Sequence, residues 1–318
     1  MKNITKILIL FLLVSCSNKP NDTINWEEIK EPNYDSVNIQ ELKTFTSSFS
    51  EITHIVDWEL SDSFIICKNS TGVPYYYVID TDSFNIVSKF GFKGNGPTEL
   101  LNPHLLCING NLKIADNGNR NIYDILEQKK IIKSNTIKHN DIANNLKEVS
   151  FPICSYTTYF PNEITWFVKD IETGFTYDSL KFSDETKNGN AIKHDFSYDI
   201  YGNHVVMASA NENCVRFYGL SDEYTIIPKI KIMSSFHSNS INYTDVFCTQ
   251  DYVFLLSQRN VNIETYEGGS IIEQYNYSGE LIKIMKLNII ATKMLLDINK
   301  RHIFLLSATD DDIHIAIL

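Results

Sequence analysis

The sequence predicts an all-β protein that is built from six repeated four-stranded units and closes into a ring. Three observations predict this class: a composition rich in aromatic residues, a strand motif that recurs through the chain, and a spare strand ahead of the first repeat. Aromatic residues make up 12% of the 318 residues, with 17 Tyr and 18 Phe, and such side chains favour strands. A hydrophobic content of 43% with 21% charged residues is enough for a sizeable folded core.

The recurring motif is clearest late in the chain, where Tyr252–Ser257 is followed by the similar Ile-Phe-Leu-Leu-Ser run of His302–Ser307. Looser copies lie at 63–68, 111–116, 164–169 and 204–209. When the copies are aligned, successive intervals are 48, 53, 40, 48 and 50 residues, for the equivalent positions Cys67, Ala115, Val168, Ala208, Leu256 and Leu306. Apolar runs before and after the copies give four short strands per unit. Four short strands per unit of about 40–50 residues are typical of a β-propeller blade.

The two ends of the chain fit together in a ring. The last unit ends on its third strand at 313–318, and a spare strand-like run at 37–45 precedes the first unit. If that run supplies the outer strand of the last unit, the ring closes without free edges, whereas an open solenoid leaves two ends that need caps. The sequence therefore predicts a six-bladed β-propeller over residues 36–318, with four antiparallel strands per blade and an N-terminal closing strand.

An insertion is expected between the second and third units, because the interval of 53 residues there is the longest. Ile142, Leu146 and Val149 share one face if residues 141–149 are helical. The sequence therefore predicts a short helix between blades two and three.

The amino terminus has the pattern of an export signal. Two lysines precede eight apolar residues at 7–14, a run too short to span a bilayer as a helix. Residues 13–16, Leu-Val-Ser-Cys, resemble the bacterial lipobox, in which the cysteine is diacylated and becomes the first residue of the mature protein. The resemblance implies a signal peptide at 1–15, a lipid on Cys16 and a flexible tether at 16–35. The alternative is an ordinary signal peptide with an incidental cysteine.

The net charge and the hydropathy of the chain limit its cellular location and the classes of partner it is expected to bind. A net charge of −11 gives the chain no electrostatic attraction to nucleic acid or to anionic lipid headgroups. No other stretch approaches the roughly 18 apolar residues that a membrane-spanning helix needs. We therefore expect an outer-membrane lipoprotein of the bacterial envelope, facing the periplasm or the cell surface. It is expected to be a monomer that contacts the membrane only through its lipid and binds no nucleic acid.

Five cysteines follow Cys16, so they cannot all pair within one chain. None forms a C-x-x-C, and gaps of 34 to 60 residues are unlike a zinc or redox motif. Most lie in apolar strand-like runs, which favours buried thiols over disulfides. The five are Cys67, Cys107, Cys154, Cys214 and Cys248.

A glycine-rich segment after the first unit shows a family resemblance. Residues 90–100, FGFKGNGPTEL, closely resemble the G-x-x-G-x-G-P-x-E-F motif of Bacteroidetes six-bladed, TolB-like propeller lipoproteins, with Leu100 where Phe is usual. In that family the motif follows the first blade, soon after a lipobox, and the same order occurs here. The resemblance implies the fold and a lipid anchor but no activity. The matching residues are Gly91, Gly94, Gly96, Pro97 and Glu99.

The same glycines invite a phosphate-binding interpretation, but their context contradicts it. A P-loop needs Gly-Lys-Ser/Thr at the start of a helix, and a dinucleotide-binding fingerprint also needs a helix behind its glycines. Here Pro97 and Pro103 follow, with a strand beyond them. The segment is therefore predicted to be a structural connector whose glycines adopt backbone angles closed to other residues, and no cofactor is predicted.

Polar residues near the innermost strands are the candidate functional residues. No H-E-x-x-H, G-x-S-x-G, EF-hand or S-x-x-K motif occurs, so a site has to assemble from distant blades around the central channel. Aligning the innermost strands places four residues near one channel mouth: His54, His104, Asp245 and Lys293. A histidine pair with a carboxylate is able to bind a metal or to act as acid and base. The alternative is that these residues only face channel water. Asp57, Asp116 and Asp199 have weaker support.

Two classes of function fit these features. The favoured one is a non-catalytic module that binds a protein, peptide or glycan at the cell envelope, since it needs no catalytic constellation. The other is a metal-dependent lyase or hydrolase at the channel mouth. An equimolar bound metal ion distinguishes the enzyme, and specific capture of an envelope partner distinguishes the binding module.

Overall fold

The structure is a computed structural model. It describes residues 26–318 except 31–36, 48, 50, 62, 97, 109–110, 127–129, 137–143, 161–162, 184–195, 213, 234–241, 263–264, 266 and 311. Its regular elements are strands, and the described part of the chain holds no helix that is long and apolar enough to cross a membrane. Six sheets of four antiparallel strands surround a channel, which confirms the predicted six-bladed β-propeller.

The strands follow one another in chain order from the centre of each blade to its rim. An amino-terminal belt contains β1 (Glu27–Lys30), β2 (Asn38–Leu42) and β3 (Thr44–Ser47). Blade 1 contains β4 (Ile55–Ser61), β5 (Phe64–Asn69), β6 (Tyr76–Asp80) and β7 (Ile86–Phe90). A parallel pair, β8 (Phe92–Lys93) and β9 (Glu99–Leu100), leads to blade 2, which contains β10 (Pro103–Ile108), β11 (Asn111–Asp116), β12 (Asn121–Leu126) and β13 (Lys130–Thr136).

The other four blades have the same order. Blade 3 contains β14 (Asn144–Ser150), β15 (Ile153–Phe160), β16 (Glu163–Asp170) and β17 (Thr176–Ser183). Blade 4 contains β18 (Phe196–Tyr201), β19 (His204–Ser209), β20 (Cys214–Leu220) and β21 (Ile226–Met233). Blade 5 contains β22 (Tyr243–Cys248), β23 (Tyr252–Ser257), β24 (Ile271–Asn276) and β25 (Leu281–Leu287). Blade 6 contains β26 (Ala291–Asp297), β27 (His302–Ser307) and β28 (Ile313–Ile317), with β3 as its outer strand.

The amino-terminal belt follows the rims of three consecutive blades. β3 pairs antiparallel with β28 and closes the ring, as predicted. β2 pairs parallel with β25, and β1 pairs parallel with β21, so blades 5 and 4 each gain a fifth strand. The run predicted as one closing strand at 37–45 is therefore divided, because Leu42 is buried in the core between blades 5 and 6 while residues 44–47 complete blade 6. Trp26 and β1 belong to the propeller, although the sequence predicted tether there.

The predicted helix at 141–149 is wrong, because residues 144–150 form β14, the innermost strand of blade 3. Ile142 lies outside the described residues. Two register shifts in the pairing of β14 with β15 interrupt the alternation of a strand, which explains why its apolar residues imitate helical spacing. The third sequence copy, 164–169, consequently lies in the third strand of its blade and not in the second.

The core lies between neighbouring blades rather than inside them. Six clusters of buried residues each combine side chains from two adjacent blades, one cluster per seam. At the seam between blades 3 and 4, Trp166 packs against Tyr198 and Tyr218 with ring centroids 6.2 and 5.7 Å apart. The five described cysteines are free thiols, and all but Cys107 are buried, as predicted.

Candidate functional site

One polar residue from each innermost strand lines the channel near one mouth. Five lie in the first half of their strands and Lys147 lies at the midpoint of β14, so the six side chains surround the channel on the side where the connectors between blades enter. They enclose a cavity of about 290 Å³, which is near the lower end of the range for small-molecule sites. We call this set the polar ring: Asp57, His104, Lys147, Ser197, Asp245 and Lys293.

Several ring residues are held by the backbone of the next blade. The Asp57 carboxylate accepts a hydrogen bond from the backbone N–H of Leu105 at 3.0 Å. The Asp245 carboxylate accepts one from the backbone N–H of Met294 at 2.8 Å. The Ser197 hydroxyl donates to a backbone carbonyl of blade 5 at 2.8 Å. These bonds link neighbouring innermost strands and fix where the ring side chains lie.

The ammonium group of Lys147 lies between two carboxylates from other blades. Its Nζ lies 3.2 Å from Asp199 Oδ1 of blade 4 and 3.6 Å from Glu59 Oε1 of blade 1. Glu59 and Asp199 are each two residues beyond a ring residue on the same strand, so they lie deeper on the same face. Burial opposes the charge of Lys147, but the carboxylates outweigh burial and raise the pKa of its ammonium group well above the ordinary value. Burial also raises the pKa of Glu59, although Lys147 opposes that shift.

Two ring residues have no such partner. Among the described residues, the Lys293 ammonium group and the His104 imidazole make no hydrogen bond or ion pair, and His104 Nε2 is fully buried. Lys68 of β5 also reaches the cavity and donates a hydrogen bond to the carbonyl oxygen of Pro103. Burial and the nearby Lys68 charge lower the pKa of His104, while Asp57 and Asp116 oppose this shift. Burial raises the pKa of Asp245, and Lys293 opposes that shift.

Three of the four residues that the sequence placed at the channel mouth do line the cavity: His104, Asp245 and Lys293. His54 is not among the lining residues; it is exposed and lies just before β4. The expected histidine pair is therefore not formed at the channel. No group of three or more His, Cys, Asp or Glu side chains within the described part of the chain is placed to hold a metal ion.

Asp57 takes the place that the sequence assigned to His54. The sequence comparison matched the apolar residues at 55–56 to those at 105–106, whereas in the structure Asp57 is the residue equivalent to His104. The ring residue of a blade is found more reliably by counting back from the second strand. Asp57 pairs with Lys68, as His104 pairs with Ala115 and Asp245 with Leu256, and in each case eleven residues separate the partners. The sequence analysis missed four residues of the site: Glu59, Lys68, Lys147 and Ser197.

The glycine-rich connector between blades 1 and 2 encloses its own carboxylate. The backbone N–H of Gly96 donates to Glu99 Oε2 at 2.7 Å, and a Cβ atom on Gly94 would lie only 2.0 Å from the same oxygen. Gly91 has a φ of +73°, which favours glycine. Pro97 lies outside the described residues. The interior of the loop is filled by Glu99, so these glycines fit the connector role that the sequence predicts for them.

Asp116 fixes the same connector from blade 2. Its fully buried carboxylate accepts hydrogen bonds from the backbone N–H groups of Leu101 at 3.0 Å, Asn102 at 2.7 Å and Gly118 at 3.1 Å. The side-chain amide of Asn119 donates a fourth bond at 2.8 Å. A carboxylate with four donors is committed to the fold, so Asp116 is a structural residue rather than part of the cavity.

The fold and the cavity define this protein as a six-bladed β-propeller with a polar channel mouth. It is similar to a member of the DUF4221 family from Bacteroides vulgatus, with a TM-score of 0.52, 12% identity, and coverage of 87% of this chain and 95% of the other. It is also similar to a candidate exported protein from Bacteroides fragilis, with a TM-score of 0.52, 12% identity, and coverage of 92% and 99%.

The β-propeller domain of Cps50 (Swd1) from Myceliophteria thermophila is similar to the same degree, with a TM-score of 0.52, 10% identity, and coverage of 86% of this chain and 99% of the other. The sequence matches no protein-family model and no curated protein. At such identities the likeness shows the shared fold alone, and proteins with this fold have many functions.

Proposed function

We propose that the chain is an exported, lipid-anchored β-propeller that acts as a non-catalytic binding module at the cell envelope. Its ligand, part of a protein, peptide or glycan, enters the channel mouth and contacts the polar ring. The observation that carries this proposal is a cavity of about 290 Å³ with polar groups from all six blades around it. A few convergent polar groups in a concave site are what small ligands need for orientation.

The lipid anchor and the envelope location rest on the sequence of the amino terminus. The apolar run at 7–14 and the lipobox-like residues 13–16 support removal of residues 1–15 and acylation of Cys16. The connector motif at 90–100 supports membership of the TolB-like propeller lipoproteins of Bacteroidetes. The fold shared with a candidate exported protein of Bacteroides fragilis is consistent with this location.

Replacing Cys16 with Ala is expected to release the protein from membranes, because the lipid is its proposed anchor. Membranes from cells that express the wild type and the Cys16→Ala variant are washed with carbonate, and the protein is measured in the pellet and the supernatant. Ser17→Ala is the matched control and should stay in the pellet. A Cys16→Ala variant that also stays in the washed membrane would refute the anchor.

Filling the cavity is expected to abolish binding without unfolding the propeller. Ser197→Trp introduces a large ring into the channel mouth, and Asn299→Trp places the same ring on an exposed turn between β26 and β27. Binding of both variants and the wild type to arrays of envelope glycans and peptides is compared, with thermal unfolding as the check on folding. If the Ser197→Trp variant binds the ligands of the wild type equally well, the binding site lies outside the channel mouth.

A further inference from the structure

The acidic and basic groups of the channel mouth differ in how many hydrogen-bond and ion-pair partners they have. The carboxylates of Asp57 and Asp245 each accept a backbone N–H bond, and those of Glu59 and Asp199 share the ammonium group of Lys147. The acidic groups are therefore held by the fold itself.

The cationic groups on one side of the ring lack such partners. Lys293 of blade 6 and His104 of blade 2 make no hydrogen bond or ion pair with another described residue. Between them, Lys68 of blade 1 uses one donor on the carbonyl oxygen of Pro103 and forms no ion pair in the part of the chain that the structure describes. Three groups that are able to carry positive charge thus line one cavity from three adjacent blades.

We propose that this side of the ring binds an anionic group of the ligand, a carboxylate or a phosphate. The inference rests on the proposed function and specifies the chemistry of the same site. Lys68 and Lys293 supply charge-assisted hydrogen bonds to the anion, which are about twice as strong as neutral ones. His104 lines the same cavity, and its protonated imidazole adds a third positive charge near the anion.

A neutral or cationic ligand interacts less favourably with these positively charged groups than an anion does. A hydroxyl group accepts a hydrogen bond but does not neutralise the two ammonium groups. A cation has to compete for carboxylates that already have N–H or ammonium partners, and it is repelled by Lys68 and Lys293. An anion accepts hydrogen bonds from the remaining donors of Lys68 and from Lys293, and it breaks none of the hydrogen bonds that hold the ring. The interaction it competes with is the attraction between Lys293 and Asp245.

The inference is tested on the mature chain by isothermal titration calorimetry with three small probes. Galacturonate carries a carboxylate, galactose is its neutral counterpart, and inorganic phosphate represents the other source of charge. Galacturonate or phosphate is expected to bind, galactose much more weakly. Lys293→Met should weaken anion binding by about tenfold or more, the size of a lost charge-assisted hydrogen bond. Lys286→Met, on the exposed rim of blade 5, is the matched control and should bind as the wild type does.

The pH dependence supplies a second readout. In the free protein, burial and the Lys68 charge lower the pKa of His104, while Asp57 and Asp116 oppose this shift. A bound anion stabilises the protonated imidazole, so the pKa of His104 should rise on binding. Affinity should therefore be highest at acidic pH and fall as the pH rises through the pKa of the complex. His104→Gln should remove that part of the dependence.

The two proposals fail in different ways. Equal binding of galactose and galacturonate, both lost in Ser197→Trp, would overturn the anion site and leave the binding module intact. Anion binding that Lys293→Met and His104→Gln leave unchanged would overturn it as well. If neither anion binds at millimolar concentration, the anion site is also refuted. The arrays compared for Ser197→Trp then decide separately whether the cavity binds any ligand.

Discussion

Removal of the amino-terminal belt is expected to destabilise the propeller severely, because it opens the ring at blade 6. β3 supplies the outer strand of that blade, and without it the edge of β28 is unpaired. Leu42, only 4% exposed, leaves the core between blades 5 and 6, and one such side chain contributes about 1.5–3 kcal/mol. Added to the lost ladder hydrogen bonds, this is a large part of a typical net stability of about 5–15 kcal/mol. The exposed edge is also a template for aggregation.

A series of truncations separates the three strands of the belt. Relative to the mature chain, a start at residue 31 removes Trp26 and β1, a start at 43 also removes β2, and a start at 48 removes β3 as well. Thermal unfolding should show a small decrease in melting temperature for the first step. Larger decreases should follow, with aggregation confined to the last step. Equal melting temperatures for the chains that start at 43 and 48 would show that β3 does not close the ring.

The blades could be predicted from sequence because their second strands are apolar and recur at nearly regular intervals. Tyr252–Ser257 and His302–Ser307 are buried except at their first residues. Because buried positions need apolar side chains, these strands are recognisable as apolar runs in the sequence. The fifth strand of blade 4 leaves no such pattern. β1 lies on the outer edge of blade 4, and Ile29 is its one apolar residue. β14 was missed for a different reason, since its register shifts interrupt the alternation that identifies a strand.

The polar ring was only partly predictable for related reasons. His104, Asp245 and Lys293 were found because an apolar run directly follows each of them in the sequence. In β4 an apolar pair also precedes Asp57, and matching that pair to the other blades moved the alignment to His54. The contacts of Lys147 could not be predicted, because they join side chains from blades 1, 3 and 4 that meet only across the channel. Such a contact depends on the geometry of the whole ring, and no local sequence pattern encodes it.

Breaking the buried ion pair of blade 5 is expected to cost as much stability as any single substitution in the protein. Arg259 and Glu273 have side chains only 3% and 0% exposed, and Arg259 donates hydrogen bonds to Glu273 Oε1 and to the hydroxyl of Tyr243. Glu273 Oε2 also accepts bonds from the hydroxyls of Tyr243 at 3.1 Å and Tyr275 at 3.0 Å. These four residues belong to blade 5, so the ion pair links the inner strands of one blade.

Arg259→Met should lower the free energy of unfolding by about 3–5 kcal/mol, because it leaves the Glu273 charge buried without its partner. Urea denaturation measures the change, and Lys89→Met, which breaks the exposed pair with Glu51, is the control and should lower the free energy of unfolding much less. The double variant Arg259→Met/Glu273→Leu removes both charges and should recover part of the loss, since the uncompensated charge dominates the cost. If Arg259→Met is no more destabilising than Lys89→Met, the pair does not hold blade 5. If the double variant is as unstable as the sum of its single variants, the lost energy comes from packing and not from an unpaired charge.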